Sequence, residues 1–312
     1  MILIVGASGV LGQAAARKLL QAGHRVRVLT RTPAQAIGLR EAGAEVMAGD
    51  LTDATTLPPA LQGVDTVLTA AHGLLGRGRY RSEQVDDAGH RALIDAAQQA
   101  KVKHFIYTSA HGASPTHPID FYRTKYRMEQ YVQHSGLPYT ILQPTAFMEW
   151  HAHNLLGKSI LEKGKTMIFG SGNNPMNFVA AQDIAQLLTL VLADARARNR
   201  TIVIGGPTNP TKNEVAALYG RLAGLTPKVG HLPARLLGGL ATLLGPFHPG
   251  ISRIMRMGAI ADTLDETLNM NVTLRMFPLQ LTSIDTFVEQ QVARHRHGKQ
   301  AADSPVLTAE TA

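Results

Sequence analysis

A glycine-rich turn near the start of the chain decides the fold, where residues 1–12 read MILIVGASGVLG. The short apolar run Ile2–Val5 predicts a strand that is buried on both faces. From Val10 to Ala22 small and apolar side chains recur every four residues, which predicts an amphipathic helix. A glycine turn between such a strand and such a helix is typical of a βαβ unit whose helix N-terminus holds a phosphate.

The same alternation continues to about residue 145 and predicts a doubly wound α/β domain with a parallel sheet. Its strands are predicted at Ile2–Val5, Val26–Thr30, Glu45–Met47, Thr66–Thr69, His104–Thr108 and Tyr139–Leu142. After Glu149 the pattern loosens into shorter strands and helices. We therefore expect a dinucleotide-binding domain over 1–150, a mostly helical substrate or lid region over 151–295 that is interleaved with the sheet, and a disordered polar tail over 296–312.

Composition excludes several classes of protein. The 312 residues are 45% hydrophobic and 17% charged, which excludes disorder as the main state. The chain has no cysteine, so disulfides, iron–sulfur clusters and a cysteine nucleophile are excluded. No basic leader precedes the first strand, so we expect no signal peptide and a cytoplasmic location. The net charge of +8 is scattered apart from the cluster Arg77, Arg79 and Arg81, and only 5% of residues are aromatic, so we expect no nucleic-acid partner. Some of these cations are expected to face a phosphorylated cofactor instead.

The glycine turn indicates a nicotinamide dinucleotide. Its spacing is G-x-x-G-x-x-G, which differs from the standard G-x-G-x-x-G fingerprint but stands at the same strand-to-helix junction. Glycines there permit a tight turn, let backbone N–H groups approach a pyrophosphate and let the helix pack closely on the sheet. The residues expected to contact the cofactor are Gly6, Ser8, Gly9, Val10, Leu11 and Gly12.

The end of the second strand favours NADP(H) over NAD(H). An NAD-specific site places a carboxylate there against the ribose 2′-hydroxyl, whereas this chain has Arg31. A guanidinium can bind a 2′-phosphate, although a solvated surface arginine is the alternative. After the third strand, Asp50 either accepts from the adenine amino group or forms a turn, and Leu51 follows it beside the cofactor.

Several segments resemble the atypical short-chain dehydrogenase/reductase superfamily, in its NmrA-like branch of NAD(P)-binding proteins. The similar stretches are GASGVLG, GHRVRVLTR, GVDTVLTAA, VDDAGHRALIDAAQQAKVKHFIYTSA, YTILQPTAFMEW and NFVAAQDIAQLL. The resemblance implies a Rossmann sheet of about seven strands with the dinucleotide across its carboxyl edge and a substrate cleft built by the C-terminal region. It does not fix the reaction, because such proteins include quinone and alkene reductases, epimerases and redox sensors.

The resemblance also implies a catalytic Ser, Tyr and Lys, here Ser109, Tyr122 and Lys125. We expect the ammonium to lower the pKa of the Tyr122 phenol and the serine hydroxyl to orient a carbonyl oxygen. The tyrosine stands three residues before the lysine instead of four, where Phe121 is found, so a packing role for Tyr122 is the alternative. Lys125 is also expected to bind the cofactor ribose; an exposed salt bridge with Glu129 is its alternative.

Further contacts are predicted around these residues. Beside the cofactor we expect Ala70, Ala71 and His72 at the end of the fourth strand and Pro144 and Thr145 after the sixth. The substrate side is expected to include His111, Phe147 and Met148; the last two are equally well explained as core. The histidine pair His151 and His153 has no carboxylates at ligand spacing, so no metal site is expected.

Residues 233–257 form a leucine-rich segment that two prolines interrupt and that is too short to span a membrane. It either packs in the core or forms a lid, or it is a surface for a protein partner or a membrane. We expect an NADPH-dependent oxidoreductase that transfers hydride to an apolar carbonyl, quinone or activated alkene. The alternative is a non-catalytic NADP(H)-binding sensor or membrane-complex subunit, and either protein can form a homo-oligomer.

Overall fold

The computed structural model describes the backbone of residues 1–303 and the side chains of residues 1–297. The strands in this part are β1 (Ile2–Val5), β2 (Val26–Thr30), β3 (Glu45–Ala48), β4 (Thr66–Thr69), β5 (His104–Thr108), β6 (Tyr139–Pro144), β7 (Ala146–Phe147), β8 (Lys165–Phe169), β9 (Phe178–Val179), β10 (Arg200–Ile204) and β11 (Lys228–Leu232). The helices are α1 (Val10–Gln21), α2 (Ile37–Glu41), α3 (Leu57–Leu61), α4 (His90–Gln99), α5 (Asp120–His134), α6 (Lys158–Lys163), α7 (Ala181–Ala193), α8 (Lys212–Ala223), α9 (Ala234–Leu244), α10 (Pro249–Ile260), α11 (Asn271–Met276) and α12 (Ile284–Asp303). Two segments with wider π-helical turns, Glu83–Gly89 and Met148–Gly157, lead into α4 and α6.

Seven parallel strands form the main sheet in the order β10-β6-β5-β4-β1-β2-β3. The strand order reverses beside β1, which pairs with β2 on one side and with β4 on the other. A reversal of this kind opens a crevice at the carboxyl ends of the strands, where ligands of doubly wound sheets bind. The predicted fold class is confirmed, and β1, β2, β4 and β5 have the predicted boundaries.

Alternating side chains of the strands build the core on both faces of the sheet. Ile2 and Ile4 point to one layer, where they pack with residues of α1 and α7. Leu3 and Val5 point to the other layer, which is formed by α3, α4 and α5. The helix predicted from the four-residue repeat is α1, which buries Leu11, Gly12, Ala15, Ala16 and Leu19.

The C-terminal part contributes to the main sheet as well as to its own core. Strand β10 pairs with β6, and α7 packs on α1, while α6, α8 and α12 enclose a third hydrophobic cluster. The prediction of a disordered tail from residue 296 is wrong at its start, because α12 continues to Asp303. The remainder of that predicted tail, 304–312, lies outside the described residues.

Candidate functional site

Close backbone contacts require the glycines of the first turn. Gly6 has a φ of +89°, and a Cβ there would lie 2.6 Å from the Ala71 nitrogen. A Cβ at Gly12 would lie 2.3 Å from the Gly6 oxygen, whereas one at Gly9 would lie 3.4 Å from the same oxygen. Gly6 and Gly12 are therefore needed for the turn and for its packing, while Gly9 keeps its outer side free for an approaching ligand.

The N-terminus of α1 is open and suits an anion. No side chain caps this helix and its first turn contains no acidic residue. Ser8 and Gly9 are exposed, and Val10 is 50% exposed although it is apolar. The first-turn N–H groups have no partner within the helix, and the helix dipole adds positive potential, so this end fits the pyrophosphate of a dinucleotide. Leu11 and Gly12 are buried and can offer only their backbone to such a ligand.

A cationic cluster lies at the end of β2. The exposed Arg31 guanidinium lies 4.2 Å from the centre of the Tyr80 ring, and Arg79 lies 5.3 Å from the same centre. Arg79 also donates from Nη2 to Asp50 Oδ2 at 3.2 Å. Two guanidinium groups around one aromatic ring fit a phosphate attached to an adenosine ribose.

Asp50 combines a turn with this cluster. Its Oδ1 accepts from the backbone nitrogen and from the hydroxyl of Thr52, both at 2.9 Å, while Oδ2 faces Arg79. The predicted turn role is therefore present, and an adenine amino group would have to share Oδ2 with Arg79. Leu51 points into the core, 7% exposed, beside Gly89.

The residues after β4 lie beside the glycine turn. Ala70 and Ala71 are half-buried and contact Gly6, so their small side chains keep the strand edge open. His72 follows at the surface, with its ring edge-on to Phe121 at 6.4 Å. Ala70 and Ala71 therefore border the glycine turn.

Lys125 is the buried cation of the site. Its residue is 3% exposed, and Nζ donates to the Thr108 carbonyl oxygen at 3.1 Å, at the carboxyl end of β5. The ammonium also lies 5.1 Å from the centre of the Tyr107 ring and 5.4 Å from that of Phe121. Burial lowers the pKa of Lys125, and the charges of Asp86 and Glu129 oppose that change. The alternative of an exposed Lys125–Glu129 salt bridge is wrong, since both residues are buried.

Asp86 is the carboxylate nearest to this lysine. It is completely buried, and its Oδ1 lies 3.9 Å from Lys125 Nζ without a hydrogen-bond partner among the described side chains. Its Oδ2 accepts from the Gly73 nitrogen at 3.0 Å and from the Ser82 hydroxyl at 2.5 Å. Gly73 and Ser82 stand at the two ends of the loop that carries Arg79 and Tyr80, so Asp86 connects this loop with Lys125.

Glu129 holds the serine that was expected to orient a substrate. The Ser109 hydroxyl donates to Glu129 Oε1, which also accepts from Gln143 Nε2 at 2.8 Å. Burial raises the pKa of Glu129, while the bonds from Gln143 and Ser109 and the Lys125 charge lower it. The structure thus brings Ser109 and Lys125 into one buried polar cluster, in which the serine hydroxyl is already engaged.

Tyr122 points away from the lysine. Its ring stacks on His117, with centroids 4.2 Å apart. The expectation that Lys125 lowers its pKa is wrong, because burial and the charge of Glu266 raise the pKa of this phenol. The reason is the helical spacing: Phe121, four residues before Lys125, covers the ammonium, and Tyr122 is rotated about 100° around α5.

His90 is a neutral histidine buried next to this polar cluster. His90 is completely buried, with Nε2 2.9 Å from the Thr69 hydroxyl and Nδ1 2.7 Å from the Val85 oxygen. A carbonyl oxygen only accepts, which assigns the proton to Nδ1. Burial, supported by the Lys125 charge, lowers the pKa of His90 to about 4. At neutral pH His90 therefore adds no positive charge next to Lys125.

The residues predicted on the substrate side divide into cleft and core. His111 is half-buried after β5, and burial lowers its pKa. Phe147 is half-buried, whereas Met148 is 1% exposed within the third hydrophobic cluster, so its prediction as a substrate contact is wrong. Pro144 is buried, and the Thr145 hydroxyl donates to Asn177 Oδ1 at 2.9 Å, which leaves mainly their backbone for a cofactor.

Residues 233–257 lie in the hairpin α9–α10, which contacts α5 and the loop after β4. Arg253, 5% exposed on α10, donates to both carboxylate oxygens of Asp120 at 2.9 and 2.7 Å and to the Leu74 oxygen at 3.0 Å. One arginine thus fastens the hairpin to the first turn of α5 and to the loop after β4. Within residues 1–297 no three His, Asp or Glu side chains come together as metal ligands.

Sequence reasoning missed the residues that act through tertiary contacts. Asp86 and His90 were not predicted, although they share a helix face with the apolar Ile94. Arg79 belongs to the arginine cluster from which cofactor contacts were expected, but its contact with Tyr80 was not predicted. Polar residues at buried positions of an amphipathic pattern are a usable signal of a buried network. The pairing of Tyr80 with Arg31 has no comparable signal, because the two residues lie far apart in sequence.

Two similar sequences differ in described role. Photosystem II assembly factor Ycf39 from Trieres chinensis is 30% identical over 293 residues, which is 92% of this chain and 91% of that protein. NAD(P)H azoreductase from Xenophilus azovorans is 34% identical over 226 residues, which is 72% of this chain and 74% of that protein.

The fold is shared with solved reductases and the family is defined by sequence. The NADPH complex of an NADPH-dependent quinone oxidoreductase from Escherichia coli superimposes with a TM-score of 0.74 at 22% identity, over 93% of this chain and 99% of that one. The model of the NmrA-like family matches residues 1–287. The chain therefore belongs to the NmrA-like family.

Proposed function

We propose that this protein is an NADPH-dependent reductase that transfers hydride to an apolar quinone, azo compound, carbonyl or activated alkene. The observation that carries the proposal is the position of Lys125, a buried ammonium at the carboxyl end of β5. The glycine turn follows β1, which is separated from β5 only by β4, so turn and ammonium lie at the same edge of the sheet. A buried cation with a perturbed pKa, at the same sheet edge as a turn that fits a phosphate, supports a role in catalysis.

Residues of this chain fit NADP(H). The uncapped N-terminus of α1 would hold the pyrophosphate, and Arg31 and Arg79 would bind the 2′-phosphate next to the Tyr80 ring. Ala70 and Ala71 leave room for the nicotinamide half. Preference for NADPH over NADH rests on the two arginines and on the lack of a carboxylate at residue 31.

The bound nicotinamide would supply the hydride, and the side chains would supply orientation and a proton. Lys125 holds that proton at Nζ. Asp86 favours the charged form of the lysine by its negative charge, and the rings of Phe121 and Tyr107 exclude water from it. Glu129 fixes Ser109 and Gln143 next to the ammonium, so the polar groups around the reacting centre are ordered before the substrate binds.

A panel of acceptors tests the proposal. Oxidation of NADPH by the purified protein is followed with quinones, azo dyes, enones and aldehydes, in parallel with NADH. We expect turnover with one acceptor class and a preference for NADPH. NADPH binding without consumption of any acceptor would contradict the reductase.

A non-catalytic assembly or sensor protein is the second candidate. It is favoured by the extent of similarity to the photosystem II assembly factor and by the orientation of Tyr122, whose ring stacks on His117 and does not face Lys125. On this account NADPH binds and is retained, and Lys125 orders the cofactor instead of delivering a proton. Equal stability of the bound NADPH in the presence and absence of all acceptors would support it.

A further inference from the structure

Four large apolar side chains of the α9–α10 hairpin are exposed together with its connecting turn. Leu236 and Leu243 on α9 are 51% and 68% exposed, Phe247 in the turn is 79% exposed and Ile251 on α10 is 40% exposed. Leu236 and Leu243 are seven residues apart, which places them on one side of the helix. We call these four residues the apolar rim. A cluster of exposed apolar side chains is typical of a surface that binds a protein or a membrane.

The opposite side of the hairpin is firmly mounted. Leu237 and Ala241 are fully buried, and the Ser252 hydroxyl donates to the Ala241 oxygen at 2.7 Å, which joins the two helices. Arg253 fastens α10 to Asp120 through two hydrogen bonds. The apolar rim therefore projects from a fixed support, and its exposure is a consequence of the packing on the other side.

The charged residues of the hairpin itself are all cations. No Asp or Glu occurs between Glu214 and Asp262, while this stretch contains Arg221, Lys228, Arg235, Arg253 and Arg256. Arg253 and Arg221 face carboxylates. Lys228, Arg235 and Arg256 have no carboxylate within 4 Å among the side chains of residues 1–297. An exposed apolar rim flanked by unpaired cations is complementary to an anionic lipid surface.

The positive charge of the hairpin favours a membrane over a second copy of the chain as its binding partner. A twofold contact between two hairpins would place the same cations opposite each other, with no acidic residue in the hairpin to pair with them. Anionic headgroups would neutralise them while the apolar rim entered the acyl boundary. Within the described residues no helix has the length and hydrophobicity needed to cross a membrane.

We propose that the α9–α10 hairpin binds this protein peripherally to membranes that contain anionic lipids, with Leu243 and Phe247 inserted and Arg235 and Arg256 on the headgroups. The hairpin also contacts the loop after β4 and α5 through Arg253, so a membrane bound to the apolar rim would lie on the same side of the molecule as these two elements. The proposal is independent of the proposed function, because it concerns binding to lipid and not turnover.

Sedimentation with vesicles tests the proposal. The full-length protein is mixed with vesicles of phosphatidylcholine alone or of phosphatidylcholine with phosphatidylglycerol, at low and high salt. We expect binding only to the mixed vesicles and weaker binding at high salt. A variant with Leu243→Ser and Phe247→Ser should bind at least about tenfold more weakly. Reversal of the charges in Arg235→Glu with Arg256→Glu should weaken binding at least about tenfold as well.

Val272→Ser is the matched control, because Val272 is a 66% exposed apolar residue outside the hairpin. It should bind vesicles like the wild type, and all variants should keep the wild-type unfolding temperature. Absence of binding to the mixed vesicles, equal binding to neutral ones, or unchanged binding of the Leu243→Ser, Phe247→Ser variant would overturn the proposal. A wild-type dimer that this variant converts to a monomer, without vesicle binding, would assign the rim to a second copy of the chain instead.

Discussion

Oδ1 of Asp86 lies 3.9 Å from Nζ of Lys125, and both residues are buried. A buried ammonium is costly unless a carboxylate compensates it, and burial lowers the pKa of Lys125 while Asp86 opposes that change. The two hydrogen bonds that Oδ2 accepts from Gly73 and Ser82 place the carboxylate where it can do so. The charge on Lys125 therefore depends on Asp86, which is anchored by the loop that carries Arg79 and Tyr80.

Replacement of Asp86 should change the pH dependence of turnover. In Asp86→Asn the ammonium loses its carboxylate, so the pKa of Lys125 falls and the alkaline limb of the kcat profile should move to lower pH by about one unit or more. The profile is measured with NADPH and the best acceptor. Asp87→Asn is the control, since the neighbouring Asp87 pairs with Arg91 and Arg127 on the surface of the helices. A uniform loss of rate with an unchanged profile would mean that Asp86 is only structural.

Arg31 should select the cofactor. In Arg31→Ala the charge-assisted bonds to a 2′-phosphate are lost, so the Kd for NADPH should rise by about tenfold or more while the Kd for NADH stays the same. Both constants are measured by fluorescence titration. Arg81→Ala provides a matched charge loss, because Arg81 is an exposed arginine in the neighbouring loop after β4, where it faces Glu83. Equal weakening of NADPH and NADH in Arg31→Ala would remove the 2′-phosphate role.

Two glycines of the turn should separate stability from binding. Gly12→Ala places a Cβ 2.3 Å from the Gly6 backbone oxygen and should lower the free energy of unfolding by about 1–3 kcal/mol. Gly9→Ala meets that oxygen only at 3.4 Å, so it should fold normally and weaken NADPH binding by narrowing the approach to α1. Denaturation curves and cofactor titrations on both variants check this. A stable Gly12→Ala protein with normal binding contradicts the close-packing argument.

Acid should destabilise the protein through His90. The folded pKa is about 4 against 6.5 for the free side chain, so the unfolded chain binds more protons between these values. Stability is therefore greatest above pH 6.5 and falls towards pH 4, by up to about 1.4 kcal/mol per pH unit for this one group. His90→Asn should reduce that slope in urea titrations at several pH values, whereas the exposed His24→Asn should leave it unchanged. A full slope in His90→Asn would assign the acid sensitivity elsewhere.

The strands, the glycine turn and Lys125 were predictable because each rests on a local pattern. Short apolar runs define β1 to β6. A glycine triplet between a strand and a helix indicates a tight turn that leaves room for a phosphate. The choice of Lys125 follows from the resemblance to the NmrA-like branch, although Phe121 and not a tyrosine stands four residues before it. These features need no knowledge of the tertiary structure.

The partners of these residues were not predictable in the same way. Asp86 meets Lys125 across two helices, and Tyr80 meets Arg31 across two loops, so neither contact has a fixed spacing in the sequence. Tyr122 was expected beside the lysine, but one residue of offset on a helix turned it towards His117. The sequence left Met148 equally well explained as a substrate contact or as core. In the structure Met148 begins the π-helical segment Met148–Gly157 and is buried there.

Lys125→Met gives the most direct test, because it keeps the apolar stem of the side chain and removes the ammonium. NADPH binding and NADPH oxidation with the best acceptor are measured on the wild type and on this variant under the same conditions. We predict a Kd for NADPH within about threefold of the wild type and a kcat lower by about 10²–10⁴-fold, the range of a lost general acid. An unchanged kcat at full cofactor binding would contradict the role of Lys125 and with it the proposed mechanism.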